Sequence, residues 1–473
     1  MKVKHLFLAL VGFMMFGMTA CNQKQVSKDA EGPEARIIKT ETPVRPEGQK
    51  DVLNLATPKL DTVRVGFVGL GMRGPGAVYR WANIPGTKIV ALCDIEPDRV
   101  AKAQEILVKA GRPKAAEYSG SEDAYKQMCE RDDIDVIYIV TDWVHHVPIA
   151  LYAMEHGKHA AIEVPAATSL QECWDLVNMA EKTQLHCIMM ENCVYDFFEL
   201  TTLNMAQQGL FGEILHVEGS YLHNLSEFWP EYWHDWRLTF NSQHKGDVYP
   251  THGFGPICQL LNIHRGDRLK TLVAMDTKAV SGPYWEKKNN NVDMPDFKNG
   301  DHTMTMLTTE NGKTILLEHD VMNPQPYSRM YKLNGTMGFA SKYPIEQYCV
   351  KPEQLDSTEI KDFKKLTQHE ALPEDVKQQL MEKYKNPVVK DIEAKAKEIG
   401  GHGGMDYIEG YRLVYCLRNG LPLDMDVYDL AEWCCVGELG AISIENGNAP
   451  VEVPDFTRGL WNKLNGFHHA FAK

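Results

Sequence analysis

Tyr249 and His252 stand three positions apart in the stretch G-D-V-Y-P-T-H-G, just ahead of an apolar run. A histidine carries a proton near neutral pH, and a tyrosinate-like tyrosine can take one from an acidified carbon. Which of the two acts at which atom is open at this level. Pro250 and Thr251 lie between them and are expected to touch the same substrate, with Tyr249 also reaching a cofactor. Tyr221 ends an alternating stretch, and Arg237 follows the aromatic run Tyr232-Trp233-His234-Asp235-Trp236. Aromatic faces and a forked cation suit a sugar ring and its hydroxyls. Tyr327, between Pro326 and Ser328, is a further substrate candidate. His402, flanked by Gly401, Gly403 and Gly404, could reach the same place or belong to a plain flexible loop.

A second chemistry rests on glycines. The run V-R-V-G-F-V is followed by Gly69, Gly71 and Gly74 in G-x-G-x-x-G spacing. The first glycine allows a tight turn, the second lets backbone approach a pyrophosphate, and the third lets a helix pack on the strand. The helix N-terminus adds free N–H groups and a positive dipole end. Met72 and Arg73 fall inside this turn, and a second apolar run ends at Asp94. An acid there can accept both ribose hydroxyls of NAD and repels the extra phosphate of NADP. Trp143, Val144, His145 and His146 follow the next strand, Glu163 and Val164 the one after it, and Asn192 the last. Such strand ends are where these sheets bind ligands. No third ligand at suitable spacing accompanies His145 and His146, so no metal site is expected.

The elements that position these residues alternate. From Thr62, strands at Val63, Ile89, Asp135–Thr141, His159–Glu163 and Leu185–Met190 are separated by helices at Pro97–Ala110, Ser121–Glu130, Pro148–His156 and Leu170–Lys182. Strand–helix alternation implies an α/β, doubly wound parallel sheet over residues 62–191. From 192 to 473 the pattern changes. A helix over Asp196–Gln208 precedes strands at Ile214–Tyr221, Thr271–Thr277, Thr303–Thr309, Thr314–His319 and Tyr331–Asn334. Asn311-Gly312 suits a tight hairpin turn. Strands without intervening helices predict an α+β domain with a mostly antiparallel sheet, closed by helices over Asp406–Arg418 and Val427–Asn446.

The first residues read differently. Lys2 and Lys4 precede an apolar run, Leu6–Met18, that ends in Thr19-Ala20-Cys21. This resembles a bacterial lipoprotein signal over 1–20, cut before a lipidated Cys21. Residues 21–61 are expected as the lipidated terminus and a polar tether. The expected location is the bacterial cell envelope, lipid-anchored and facing the periplasm or the cell surface. A net charge of −14 over 473 residues argues against nucleic acid as a partner. Most of the eleven cysteines sit in apolar runs without C-x-x-C spacing and read as small buried hydrophobes. A homo-oligomer is neither indicated nor excluded.

The glycine turn, T-D-W-V-H-H at Thr141–His146, E-V-P at Glu163–Pro165, G-E-I at Gly212–Ile214 and Y-P-T-H at Tyr249–His252 together resemble the Gfo/Idh/MocA oxidoreductase superfamily. More closely, G-M-R-G-P-G, E-N-C-V-Y-D-F-F-E-L-T-T-L-N-M-A-Q-Q-G-L-F-G, R-G-D-R-L-K-T-L-V-A-M-D and Y-P-I-E-Q-Y resemble glycoside hydrolase family 109. That resemblance implies NAD as a bound, recycled cofactor and a glycoside with terminal α-N-acetylgalactosamine as substrate. It also implies transient oxidation at carbon 3, elimination, addition of water and re-reduction, an exception to the paired-carboxylate mechanism. His146 matches a superfamily histidine. Most oxidoreductase members carry E-K-P, whose lysine assists hydride chemistry; here Val164 takes its place. The competing readings are a NAD-dependent sugar oxidoreductase of the same superfamily and a lipid-anchored sugar-binding protein.

Overall fold

The computed structural model describes residues 37–358, 360 and 363–472. The lipidation signal and Cys21 lie outside the described residues. Six short strands, β1 (Val63–Val68), β2 (Thr87–Asp94), β3 (Ala116–Ser119), β4 (Val136–Ile139), β5 (His159–Ile162) and β6 (Cys187–Met189), form a wholly parallel sheet in the order β3-β2-β1-β4-β5-β6. Five helices connect them: α1 (Gly74–Ala82), α2 (Pro97–Lys109), α3 (Ala124–Cys129), α4 (Trp143–Glu155) and α5 (Leu170–Thr183). The central strands β1 and β4 are buried almost throughout, which is why they read as apolar runs rather than alternations. Strand order reverses between β1 and β4, and a crevice opens there at the strand C-termini.

The second part begins with α6 (Phe197–Gln207) and β7 (Ile214–Leu222), then α7 (Trp236–Gln243), α8 (Thr251–Leu261), β8 (Leu269–Asp276) and α9 (Ser281–Asn290). Strands β9 (Thr303–Thr309), β10 (Thr314–Asp320), β11 (Lys332–Gly335), β12 (Gly338–Ser341) and β13 (Gln347–Val350) follow. Then come α10 (Glu374–Lys383), α11 (Glu393–Ile399), α12 (Met405–Asn419), α13 (Val427–Cys434), α14 (Val436–Glu445) and β14 (Val451–Glu452). The eight strands order as β13-β12-β11-β7-β10-β9-β8-β14, with β7–β10 the one parallel pairing between these strands. The mostly antiparallel sheet is as expected. The Asn311-Gly312 turn joins β9 to β10, with Gly312 at φ +81°, where only glycine sits without strain.

Three boundaries differ from expectation. Residues 37–61 are packed on the body instead of forming a free tether. Ile38 bridges Val451, Val52 and Leu53 are buried, and Arg45 makes two 3.0 Å bonds to the fully buried Glu181. Their polar composition concealed a few anchoring contacts. Helix α4 starts at Trp143 rather than Pro148: Asp142 is the last extended residue before it, and Pro148 sits inside the helix at the cost of one backbone hydrogen bond. The expected single helix over Val427–Asn446 is two, broken at Cys435, with Asp426 and Asp429 forming a capping box at the start of α13.

Two glycines decide where α8 lies. A Cβ on Gly219 of β7 or on Gly253 of α8 would overlap the backbone of the other element. Helix backbone therefore rests directly on strand backbone, and the residues opening α8 meet those closing β7.

Candidate active site

The glycine turn forms one wall of a cleft of about 1010 Å³, part of it open to solvent. Gly69 sits at φ +92°, and a Cβ there would lie 2.5 Å from the Val140 carbonyl oxygen. A Cβ on Gly74 would lie 2.7 Å from the Gly69 carbonyl oxygen, whereas one on Gly71 would point into the cleft and come no nearer than 3.7 Å to the Arg99 guanidinium. The turn is a cradle that any side chain would fill, so its residues fit a dinucleotide pyrophosphate. Met72 and Arg73 line the same cleft, as do Asp94, Thr141 and His145. Asp94 also works as a strut. Its Oδ2 accepts from Leu70 N at 2.6 Å and its Oδ1 from Glu96 N at 2.9 Å, which locks the turn against the end of β2.

Beyond the turn, Arg73 ties the cleft to the second part of the chain. Its Nε donates to Glu163 Oε1 at 3.0 Å and its Nη1 to Asp406 Oδ2 at 2.9 Å. Tyr138 Oη donates to the same Glu163 oxygen at 2.6 Å. Burial would raise the Asp406 carboxyl, but Arg73, His402 and Arg80 hold it well below the usual carboxylate range. Asn192 Nδ2 donates to Asp406 Oδ1 at 2.5 Å. Glu409, also buried here, carries an unpartnered Oε1; burial with Glu163 and Asp406 nearby pushes its pKa up and favours the neutral form.

The histidines at the start of α4 do different things. His146 is buried, with Nδ1 2.9 Å from Pro165 O and Nε2 3.1 Å from Thr141 O, and burial lowers its pKa. His145 is exposed and paired with Asp142, which raises its pKa. The two rings do not converge on a common point. Val144 faces solvent, while Trp143 is buried and its Nε1 donates to Val164 O at 3.2 Å.

Tyr249 and His252 are in contact, with Tyr249 Oη 3.2 Å from His252 Nε2. His252 Nδ1 lies 2.7 Å from Glu191 Oε1. Glu191 is fully buried; burial pushes its carboxyl up, yet the facing His252 and the hydrogen bonds onto it outweigh this and keep it ionised. The carboxylate fixes Nδ1 as the N–H and leaves Nε2 as an acceptor for the Tyr249 hydroxyl. Burial, then the neighbouring Tyr221, hold the Tyr249 pKa well above 10, with Arg237 acting in the opposite direction. Tyr221 packs on both partners, its ring 4.7 Å from Tyr249 and 5.4 Å from His252. Burial lifts the Tyr221 pKa to about 12.

Arg237 is buried in a box of rings. Its guanidinium carbon is 4.5 Å from the Tyr249 ring centre, 5.0 Å from Trp143 and 5.4 Å from Tyr232. Its Nη1 donates to Tyr232 Oη at 2.8 Å, its Nε has no partner, and among the described residues no carboxylate pairs with it. Pro250 and the fully buried Thr251 shape the turn into α8. Tyr327 is half exposed at the rim, its ring 6.4 Å from Tyr221, and its hydroxyl accepts from Arg329 Nη1 at 3.1 Å.

His402 joins this assembly. Its Nδ1 lies 3.0 Å from both oxygens of Asp406 and 3.4 Å from Asn192 Nδ2, while its side chain is 57% exposed. It is therefore an oriented imidazole at the mouth of the site rather than part of a plain loop. Sequence reasoning missed Glu191, Asp406 and Glu409; the acid five positions before the Asp196 helix cap and the acids at 406 and 409 carried no spacing signal of their own.

The comparisons with known proteins agree with this geometry. Residues 63–191 match the family described as oxidoreductase family, NAD-binding Rossmann fold, and residues 195–463 match glycosyl hydrolase 109, C-terminal domain. NAD is thus the cofactor of the cleft. A glycosyl hydrolase family 109 protein 1 of Phocaeicola vulgatus is 65% identical over 100% of both chains. One of Bacteroides thetaiotaomicron is 67% identical over 92% of this chain and 93% of its own, and a Porphyromonas gingivalis family 109 protein is 61% identical over 100% of both. Among solved structures, a levoglucosan dehydrogenase in complex with NADH and L-sorbose superposes with a TM-score of 0.61 at 17% identity, covering 84% of this chain and all of that one. A NAD binding oxidoreductase from Klebsiella pneumoniae gives 0.62 at 16% identity, covering 83% and 99%. These two share the fold of a Gfo/Idh/MocA dehydrogenase. Matched along its whole folded length and complete in both halves, the chain is an enzyme that belongs to glycosyl hydrolase family 109.

Proposed function

We propose that the protein is a glycosidase that removes terminal α-linked N-acetylgalactosamine through transient oxidation at carbon 3, elimination, addition of water and re-reduction. The observation that carries this reading is the chain Glu191–His252–Tyr249, with bonds of 2.7 and 3.2 Å, built against a NAD cleft in which Val164 stands where a dehydrogenase would have its lysine. When bound, NAD supplies the reversible removal and return of hydride at carbon 3. The protein supplies orientation and proton transfer.

A ketone at carbon 3 makes the proton on carbon 2 acidic. Tyr249 Oη is placed to take it while its own proton passes to His252 Nε2. Glu191 stabilises the imidazolium that results. A free tyrosinate is disfavoured in this buried setting, so the two transfers are coupled. His402 is placed to serve the glycosidic oxygen at carbon 1. Asp406 holds its Nδ1, which leaves Nε2 to protonate the leaving group and then to take a proton from the water that adds. Arg237, Tyr221 and Tyr327 form the wall against which the sugar lies, and the Arg237 guanidinium places a fixed positive charge behind it.

On the same reading, residues 1–20 are a signal peptide and Cys21 carries lipid, which holds the enzyme on the cell envelope. Free NAD is scarce outside the cytoplasm, and a cofactor restored at every turnover suits that location. The test is release of p-nitrophenol from its α-N-acetylgalactosaminide by purified protein without added NAD. Absence of p-nitrophenol release, with NADH and an oxidised sugar accumulating once NAD is supplied, would overturn the proposal in favour of a dehydrogenase.

A further inference from the structure

Two cleft residues with no role assigned so far meet across the mouth of the NAD cleft. Arg99, near the start of α2, belongs to the first domain. Trp233 belongs to the second and lies in the segment between β7 and α7. The Arg99 guanidinium carbon sits 5.4 Å from the Trp233 ring centre, and its Nη1 lies 3.4 Å from Asp94 Oδ1. Asp94 is the acid at the ribose end of the cleft, and both Arg99 and Trp233 line that cleft with Gly71 and Met72. A bridge therefore runs from the ribose carboxylate through a cation to an indole face contributed by the other domain.

The segment is built to hold the indole there. Trp236 anchors one side, its ring 5.1 Å from Trp143, and Tyr232 anchors the other through its 2.8 Å bond from Arg237. Between the anchors, His234 and Asp235 both take positive φ, at 52° and 54°. Two consecutive non-glycine residues in this region are uncommon and are maintained only when the surroundings demand it. In the fold that results Trp233 lies over Arg99, with 39% of its surface still exposed. An indole face held beside a guanidinium is a platform for a purine or ribose, and such stacking is tolerant of small shifts in the ligand.

We infer that Trp233 and Arg99 form a clasp that retains the adenosine half of NAD, so that the cofactor stays bound from one turnover to the next. The inference depends on NAD binding in this cleft and not on the glycosidase chemistry. Through Trp233 the second domain becomes part of the cofactor site.

The experiment uses purified holoprotein. Carbon-13-labelled NAD is added in excess, and exchange of the bound cofactor is followed by mass spectrometry of denatured samples. Trp233→Ala should speed exchange roughly 10-fold or more, the range expected for loss of an aromatic platform with its cation. Trp233→Phe keeps a ring face and should stay within about 3-fold of the parent. Arg99→Gln should accelerate exchange as Trp233→Ala does, and it decides the matter if the tryptophan variant does not fold. Exchange at the parental rate in Trp233→Ala, or equal acceleration by Trp233→Ala and Trp233→Phe, would overturn the clasp. Neither result would touch the elimination route, which is read from the isotope content of the sugar product.

Discussion

Glu191 Oε1 lies 2.7 Å from His252 Nδ1, across 61 positions of sequence, at the seam between the two domains. The acid comes from the end of the parallel sheet and the histidine from the first turn of α8, so neither domain alone contains the proton chain. The contact makes the imidazole directional. Its Nε2 can only accept from Tyr249 while Nδ1 is held by a carboxylate.

Glu191→Gln should therefore lower kcat by about 100-fold or more, because an amide can present its N–H to Nδ1 and invert the tautomer. The pH profile should lose the limb that reports the His252–Tyr249 pair, while bound NAD is unchanged. Parental kcat with a parental pH profile would show that Glu191 merely fills space.

Tyr249→Phe and His252→Ala should each cost roughly 100- to 10,000-fold in rate, the usual effect of losing a positioned acid or base. Both variants should retain NAD, because neither residue belongs to the glycine turn. Asp94→Ala should do the reverse and loosen the cofactor, since it loses both the ribose acceptor and the 2.6 Å strut to Leu70 N. Mass spectrometry of NAD released on denaturation, alongside initial rates, separates the two classes.

His402→Ala should discriminate between leaving groups. Alkyl glycosides need a proton at carbon 1 and should lose roughly 100-fold or more; p-nitrophenyl glycosides, whose phenolate leaves unaided, should lose far less. Equal losses on both substrates would remove His402 from the acid role.

Buried histidines should cost the fold stability on mild acidification. Burial holds the neutral form of His159, His186 and His319, with pKa values of about 4, 3 and 3. In the unfolded chain each takes up a proton near pH 6.5. Their contribution is thus complete above pH 6.5 and is lost as pH falls toward 4, at about 1.4 kcal/mol per pH unit for each group that protonates only on unfolding. His264 works in the other direction: burial and Arg265 would lower it, but Glu432, Asp426 and Asp429 keep it near 10, so its contribution is complete below pH 6.5 and is lost as pH rises from there through 10. Buried Asp247 and Glu432, whose carboxyls are pushed up to about 7, act the opposite way over the same range. The histidine share is therefore read as the difference in urea midpoint between the parent and His319→Phe at pH 7.5, 6 and 5; a difference that does not change with pH would contradict the burial of that ring.

The cofactor half of this enzyme was legible because its determinants are local. Gly69, Gly71, Gly74 and Asp94 lie within one strand–turn–helix–strand unit, and steric demand at two of the glycines leaves no alternative residue. The pair Tyr249 and His252 was legible for the same reason, as one helix entry. Their partners were not. Glu191 and Asp406 are recruited across the domain seam, where spacing in sequence says nothing about distance. Arg99 was invisible because a lysine or arginine on a surface helix is ordinary until an aromatic ring from elsewhere covers it. The polar stretch 37–61 read as a tether because hydropathy does not register a few anchoring contacts such as Arg45 to Glu181.

The most direct test of the mechanism is turnover of an α-N-acetylgalactosaminide in heavy water, with the product examined at carbon 2 by NMR. Elimination through a carbon 3 ketone breaks the carbon 2–hydrogen bond, so the account predicts deuterium at that position in the released sugar and none in unreacted starting material. Product free of deuterium, from enzyme shown to hold NAD, would contradict the account and leave direct displacement at carbon 1.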